Sequence, residues 1–224
     1  MYRSKISGTG SYLPEKILTN QDLEKMVETN NQWIIERTGI RERHIAAEDQ
    51  ATSDMALIAS QRALEMAKLS PKDIDLIIVA TTSPDYKMPS TAAVLQDKLG
   101  ARTVCSFDLS AACSGFVYGT SIANQFIRTG VYKNILIVGA ETLSRIINWK
   151  DRETCILFGD GAGAIILSRS PENESSEILS EHLYADGALN HLLDIPGGGS
   201  RMPYSQKVLD EKSSSCTHER SGDF

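Results

Sequence analysis

Two short runs with an apolar residue at every position constrain the fold of this 224-residue chain more than any other feature. Leu76-Ile-Ile-Val-Ala80 and Ile135-Leu-Ile-Val138 lack the alternation that a strand with one wet face must show. A strand that is apolar on both faces needs cover on both, so it lies inside a sheet, usually a parallel one. The surrounding sequence supplies that cover. Ser53 to Lys68 places Met55, Ile58, Ala59, Ala63, Met66 and Ala67 at helical spacing. Thr91 to Leu99 reads as a helix ended by Gly100, and Ser114 to Arg128 as one ended by Gly130. With strands expected over Arg3 to Gly10, Thr103 to Leu109 and Asn134 to Ala140, strand and helix alternate. That order predicts an α/β fold of stacked layers.

Smaller signals fill in the rest. Thr19-Asn20-Gln21-Asp22 has the spacing of a capping box and predicts a short helix, and Asn31 to Thr38 predicts a second, closed by Gly39. Thr154 to Phe158 and Ala164 to Ser168 read as strands on either side of Gly159-Asp-Gly-Ala-Gly163. Pro171 to Glu177 is polar and reads as a linker, and Ile178 to Tyr184 as one more strand. The expected organisation is a first half over residues 1–170, the opening of a second half over 171–212, and a tail over 213–224. Only Cys216 and Phe224 of that tail are apolar, so it is expected to be disordered.

Composition excludes several classes. Hydrophobic residues make up 41% and charged residues 23%, which fits a globular chain and not a disordered or collagen-like one. No apolar run approaches the ~20 residues of a membrane helix. Met1-Tyr2-Arg3-Ser4-Lys5-Ile6 has no apolar signal core, so a cytosolic protein without a membrane partner is expected. The net charge of -6 comes entirely from the residues after Ser170, where 10 acidic side chains face 4 basic ones. An acidic chain with no basic run argues against nucleic acid as a partner.

Four cysteines, Cys105, Cys113, Cys155 and Cys216, show no C-x-x-C spacing and no nearby His to complete a metal site, so no metal is expected. Cys113 differs from the others in setting. In Phe107-Asp-Leu-Ser-Ala-Ala-Cys113-Ser-Gly a strand runs through small residues into a largely apolar helix. Only Ser114, Ser121, Gln125 and Arg128 form a polar stripe on that helix, which is expected to be nearly buried. A cysteine at a helix N-terminus meets unpaired N–H groups and a dipole that favour negative charge, and small neighbours let a carbonyl approach. A nucleophile and a buried structural thiol both fit that setting. Gly159-Asp-Gly161-Ala-Gly-Ala164 formally satisfies G-x-G-x-x-A, a dinucleotide fingerprint, but Ile165-Ile-Leu167 reads as a strand where a helix is required. A tight strand-to-strand turn is expected there instead.

Taken with their order, these segments resemble β-ketoacyl-acyl-carrier-protein synthase III, a thiolase-like family of bacterial fatty acid synthesis. The resemblance rests on Ser110-Ala-Ala-Cys113-Ser-Gly and Phe158-Gly-Asp-Gly-Ala-Gly163. It extends through Gly8-Thr-Gly-Ser-Tyr-Leu-Pro14, Trp33-Ile-Ile-Glu-Arg-Thr-Gly-Ile40, Ala80-Thr-Thr-Ser83, Val138-Gly-Ala-Glu-Thr142 and Asp151-Arg-Glu-Thr154. It implies the thiolase-like α/β/α/β/α architecture, here the N-terminal half and the start of the C-terminal half, and assigns Cys113 as the acyl-accepting nucleophile. Trp33 and Arg152 would hold the adenine of coenzyme A between an indole and a guanidinium, both of which stack on aromatic rings. Thr29 would help at the adenine end, and Arg37, one turn beyond Trp33, would meet a phosphate. From the residues alone, a core tryptophan and two solvated arginines are the preferred reading. Leu143 and Phe158 match acyl-pocket positions, and Met88 matches a loop residue reaching into a partner subunit's pocket, which implies a homodimer.

The implied reaction has two halves and uses coenzyme A thioester as substrate, with no separate cofactor. Cys113 takes an acyl group, acetyl or short branched, from coenzyme A. Malonyl-acyl carrier protein then loses carbon dioxide, and its carbanion attacks the thioester to give 3-oxoacyl-acyl carrier protein. The family stabilises the enolate with a His and an Asn from its C-terminal half. None of His44, His182, His191 and His218 sits in that context, and the family pattern stops near Lys212, as in a truncated or frameshifted chain. Residues 1–224 alone are therefore expected to be inactive in condensation. The alternatives are a non-catalytic remnant that binds coenzyme A or dimerises, and another thiolase-like synthase of the polyketide-starter or 3-hydroxy-3-methylglutaryl-coenzyme A type.

Overall fold

The computed structural model describes residues 1–210 and 215–218. In chain order these form β1 (Ser4–Tyr12), β2 (Lys16–Thr19), α1 (Asn20–Leu23), α2 (Asn31–Thr38), β3 (Glu42–Ile45), α3 (Thr52–Ala67), β4 (Leu76–Ala80) and α4 (Thr91–Leu99). They continue with β5 (Cys105–Leu109), α5 (Gly115–Arg128), β6 (Asn134–Thr142), α6 (Arg152–Cys155), β7 (Asp160–Arg169), β8 (Leu193–Asp194), α7 (Gln206–Asp210) and β9 (Thr217–His218). No helix among the described residues is long and apolar enough to cross a membrane.

Chain contacts divide the protein into two units that are not consecutive in sequence. One comprises Met1–Pro14, Ala46–Glu141 and Gly161–Leu183; the other comprises Glu15–Ile45, Thr142–Asp160 and Tyr184–Phe224. A cut at residue 170, which the polar linker suggested, does not coincide with this division.

The first unit is built on a five-stranded sheet in the order β1-β7-β6-β4-β5. β4 runs parallel to both β5 and β6, and β1 runs antiparallel to β7. All five residues of β4 are buried, as its unbroken apolar sequence requires. Alternate residues serve opposite faces. Ile77 and Val79 pack with Leu136, Val138 and residues of α3 and α4, whereas Leu76 and Ile78 pack with Ile135, Ile137 and residues of α5. α3 lies directly on the backbone of β1: a Cβ on Gly8 or Gly10 would stand 2.2 Å from the Ala63 carbonyl or 2.1 Å from that of Ala59.

The second unit holds α2 on a small apolar cluster. Leu23, Ile34, Ile147, Cys155 and Ile156 form its buried centre, with Trp33, Leu143, Trp149 and Phe158 packed around them. The Thr19–Asp22 box and the Gly39 stop are those the sequence predicts, and Asn30 adds a cap it did not single out. Thr19 and Asp22 close a capping box on α1. Asn30 Oδ1 accepts from the Trp33 N–H at 2.8 Å to start α2, and Gly39 ends it at φ 72°.

Several expectations need correction. Thr154 to Phe158 is not a strand: Asp151 caps α6 by accepting from Glu153 N–H and Thr154 Oγ1, and the apolar residues that follow bury the helix end. The glycines of 159–163 make no strand-to-strand turn, because β7 begins at Asp160 and already pairs with β1 at Ala162 and Gly163. Ile178 to Tyr184 is irregular, yet anchored. Glu181 accepts from Ser121, Asn124 and Gln125, so the polar stripe of α5 is an attachment line for this segment. α5 itself is only partly buried, with Val117 55% exposed. Of the tail expected to be disordered, Thr217–His218 pair with β8, and buried Cys216 bridges to Ile147, where its N–H donates to the Ile146 carbonyl. Residues 213–214 and 219–224 of that tail lie outside the described residues.

Candidate active site

In the first unit three parallel strands end side by side, and each ending carries a chemically distinctive group. After β5 the chain passes Ser110 and Ala111, makes a tight 3-10 turn over Ala112–Ser114, and enters α5. Cys113 is the middle residue of that turn and is exposed. Ala112 before it has φ 44°, a left-handed conformation that costs an alanine about 1–2 kcal/mol. Such strain persists where the surroundings fix a side chain's direction. The nucleophile candidate thus sits one turn ahead of the helix proper. The Ser114 side chain makes no cap hydrogen bond to α5. The positive end of the helix dipole stabilises negative charge arising there.

After β4, Thr81, Thr82 and Ser83 turn towards the end of β6, where Glu141 receives them. Its carboxylate accepts from the Thr82 N–H (2.8 Å) and hydroxyl (3.1 Å), the Ser83 N–H (3.1 Å) and hydroxyl, and the Thr81 hydroxyl (3.4 Å). Sequence reading did not single out Glu141, since only the adjacency of β4 and β6 reveals its five donors. Beyond Ser83 the Asp85 carboxylate accepts from Ser53 N–H and Oγ, anchoring the base of a loop on which Met88 is 84% exposed.

The other cysteines separate by burial. Cys155 and Cys216 are buried, and desolvation pushes both thiols above their ordinary pKa, with Asp151 adding to the effect on Cys155 and Asp194 to that on Cys216. Cys155 lies on α6, not on a strand, and Cys105 on β5 is as accessible a thiol as Cys113 by class.

The second unit gathers the residues expected at an adenine. Trp33 on α2 has the guanidinium carbon of Arg37 4.8 Å from its ring centroid and that of Arg152, on α6, 4.9 Å away. Both are direct cation–π contacts. An adenine entering between Trp33 and Arg152 must therefore displace that guanidinium from the ring. Arg152 Nη1 donates to the Glu28 carbonyl at 3.2 Å, and the next residue, Thr29, has a buried hydroxyl with no hydrogen-bond partner. Leu143 and Phe158 are half-buried on the same apolar cluster as Trp33.

Residues 107–187 match the family model for 3-oxoacyl-[acyl-carrier-protein] synthase III. The chain is 58% identical over 206 residues to β-ketoacyl-[acyl-carrier-protein] synthase III of Caldanaerobacter subterraneus subsp. tengcongensis, covering 92% of this chain and 62% of that relative. The crystal structure of 3-oxoacyl-[acyl-carrier-protein] synthase III from Aquifex aeolicus VF5 superposes with a TM-score of 0.84 at 49% identity, covering 93% of this chain and 67% of that one. The chain belongs to the 3-oxoacyl-acyl-carrier-protein synthase III family. Its thiolase-like fold is shared with the priming β-ketosynthase of the R1128 polyketide pathway, at 30% identity and a TM-score of 0.84 over 97% of this chain and 64% of that one. It spans 62% of the length of the first curated relatives it matches.

Proposed function

We propose that this synthase III chain carries the acyl-accepting chemistry that starts fatty acid synthesis. The observation that supports this best is the setting of Cys113: exposed, held by a strained residue, at the N-terminal end of a 14-residue helix and beyond the ends of parallel strands. The Cys113 sulfur attacks the thioester carbon of acetyl- or a short branched acyl-coenzyme A. The bond from that carbon to the coenzyme A sulfur breaks, and coenzyme A leaves as its thiol with the proton that Cys113 gave up. In the family's second half-reaction, whose His and Asn donors are not among the residues that match here, malonyl-acyl carrier protein loses carbon dioxide. The resulting carbanion attacks the acyl-cysteine, giving 3-oxoacyl-acyl carrier protein and expelling the Cys113 thiolate, which takes a proton from water. Coenzyme A is substrate here, not resident cofactor.

For the adenine end we assign Trp33 and Arg152 as the stacking pair, Arg37 as a phosphate partner and Thr29 as a polar contact whose unpartnered hydroxyl a nitrogen or oxygen of the ligand would satisfy. Leu143 and Phe158 are assigned to the acyl pocket, and Met88 to a pocket of a second copy. A homodimer accords with β5, whose outer edge closes the sheet and carries an exposed Cys105. A reducing compartment such as the cytoplasm accords with two exposed free thiols.

Incubation with acetyl-coenzyme A followed by intact-protein and peptide mass spectrometry tests the central assignment. One acetyl group on Cys113 is expected. Acetyl found on Cys105 with Cys113 unmodified refutes it, and binding of coenzyme A with no acetylation identifies a non-catalytic binder.

A further inference from the structure

Arg43 and Asn20 are polar side chains buried to within 4% and 0% of full enclosure, and neither belongs to the site described above. Arg43 Nη2 donates to the Ile156 carbonyl at 2.6 Å, the residue that ends α6. Its Nη1 donates to Asn20 Oδ1 at 2.9 Å. Asn20 Nδ2 in turn donates to Asn31 Oδ1 at 3.0 Å, on the first residue of α2, and to the Ile40 carbonyl at 2.8 Å just past the end of α2. One continuous chain of hydrogen bonds therefore runs from α6, which carries Arg152, to both ends of α2, which carries Trp33 and Arg37. No carboxylate pairs with Arg43 among the described residues, and its Nε lacks a partner. A buried cation met only by neutral acceptors is a poor way to stabilise a fold, since an apolar side chain of similar volume does as well or better. What an apolar residue cannot do is span two segments with a rigid planar fork.

We propose that Arg43 and Asn20 are positioning residues that set Trp33 against Arg152 for recognition of the adenosine end of a coenzyme A thioester. This rests on the adenine assignment made above. Burial disfavours the charged form of Arg43 and lowers its pKa, a cost consistent with a geometric task.

The test uses the Trp149→Phe chain, in which Trp33 is the one remaining tryptophan. Coenzyme A binding is read from Trp33 fluorescence, and Cys113 acetylation is timed with acetyl-coenzyme A and with S-acetyl-pantetheine, which lacks adenine. Arg43→Met is expected to weaken coenzyme A on the order of 10-fold, as loss of an outer partner does at other binding sites, and to lower the ratio of the two acetylation rates equally. Arg43→Lys should recover little of this, because a point charge cannot replace the fork. Asn20→Ala leaves the Arg43 contact with Ile156 in place and cuts only the arm to α2, so it carries the test if Arg43 variants fold poorly. The same fall in the ratio is expected. Unaltered affinity in Arg43→Met and Asn20→Ala, or an equal loss with both thioesters, overturns the proposal. Trp33→Ala separates the two levels: its coenzyme A affinity, read by isothermal titration calorimetry because the fluorophore is gone, should weaken by roughly 5- to 150-fold. If it does not, the adenine assignment itself fails; if it does while the Arg43 and Asn20 variants bind normally, only the positioning role fails.

Discussion

At the scale of single residues, the four thiols differ by environment more than by sequence. Cys105 and Cys113 are exposed, and Cys155 and Cys216 are buried with raised pKa values. Iodoacetamide at pH 8 is therefore expected to modify two cysteines in the folded chain and all four in denaturant, as counted by mass spectrometry. The raised values have a consequence for stability. An unfolded thiol ionises near its ordinary pKa of about 8.5, before the buried ones do. The contribution of Cys155 and Cys216 is complete below that pH and is lost as pH rises through their folded-state values. The melting temperature should fall with rising alkaline pH, and less steeply in Cys155→Ala. Sequence reading separated Cys113 from the rest because small residues and a helix start are visible in order. It could not find Arg43, which looks like one of a run of surface charges in Arg41-Glu-Arg43-His. Only the pairing of β3 with β2, which opposes Arg43 to Leu18, reveals that this side chain points inward.

At the scale of elements, legibility followed length and caps. α2 and α4 lie where the sequence predicted, because Asn30 and Ser90 start them with side-chain caps and Gly39 and Gly100 stop them in the left-handed conformation. β4 was legible from its unbroken apolar run. α6 was misread because Cys155-Ile-Leu-Phe158 is four apolar residues, too short for periodicity to tell a helix end from a strand. β2 and β3 went unseen because each spans four residues and neither alternates cleanly. The contact of α3 with β1 is the most demanding packing in the first unit. Gly10→Ala places a Cβ against the backbone of Ala59, and neither helix nor strand has a flexible end to yield. We expect a loss of about 1–3 kcal/mol, measured as a shift in the urea midpoint with an unchanged slope. Gly39→Ala meets no neighbouring atom, yet the left-handed backbone at φ 72° should by itself cost about 1–2 kcal/mol.

At the scale of the whole molecule, β5 leaves one side of the sheet unpaired among the described residues, and exposed edges invite pairing with another chain. Sedimentation equilibrium should give twice the 24.5 kDa chain mass, and Cys105→Lys, which puts a charge on that edge, should shift the population towards monomer. A monomer in the parent chain at micromolar concentration refutes pairing through β5. The division into two interleaved units was not legible, because a linear reading finds boundaries in composition, whereas here residues 15–45 and 142–160 meet across the 96 residues of Ala46–Glu141. The pairing of β1 with β7 has a further consequence, in time. Ser4 opposes Arg169 and Tyr12 opposes Ala162, so the first strand to leave the ribosome finds its partner only after about 160 further residues have been made. At ordinary synthesis rates that is roughly 10–30 s. Over that interval β1 must stay unpaired without aggregating. Its two glycines, which give the completed sheet its tight contact with α3, also keep the waiting strand weakly β-forming and poorly apolar.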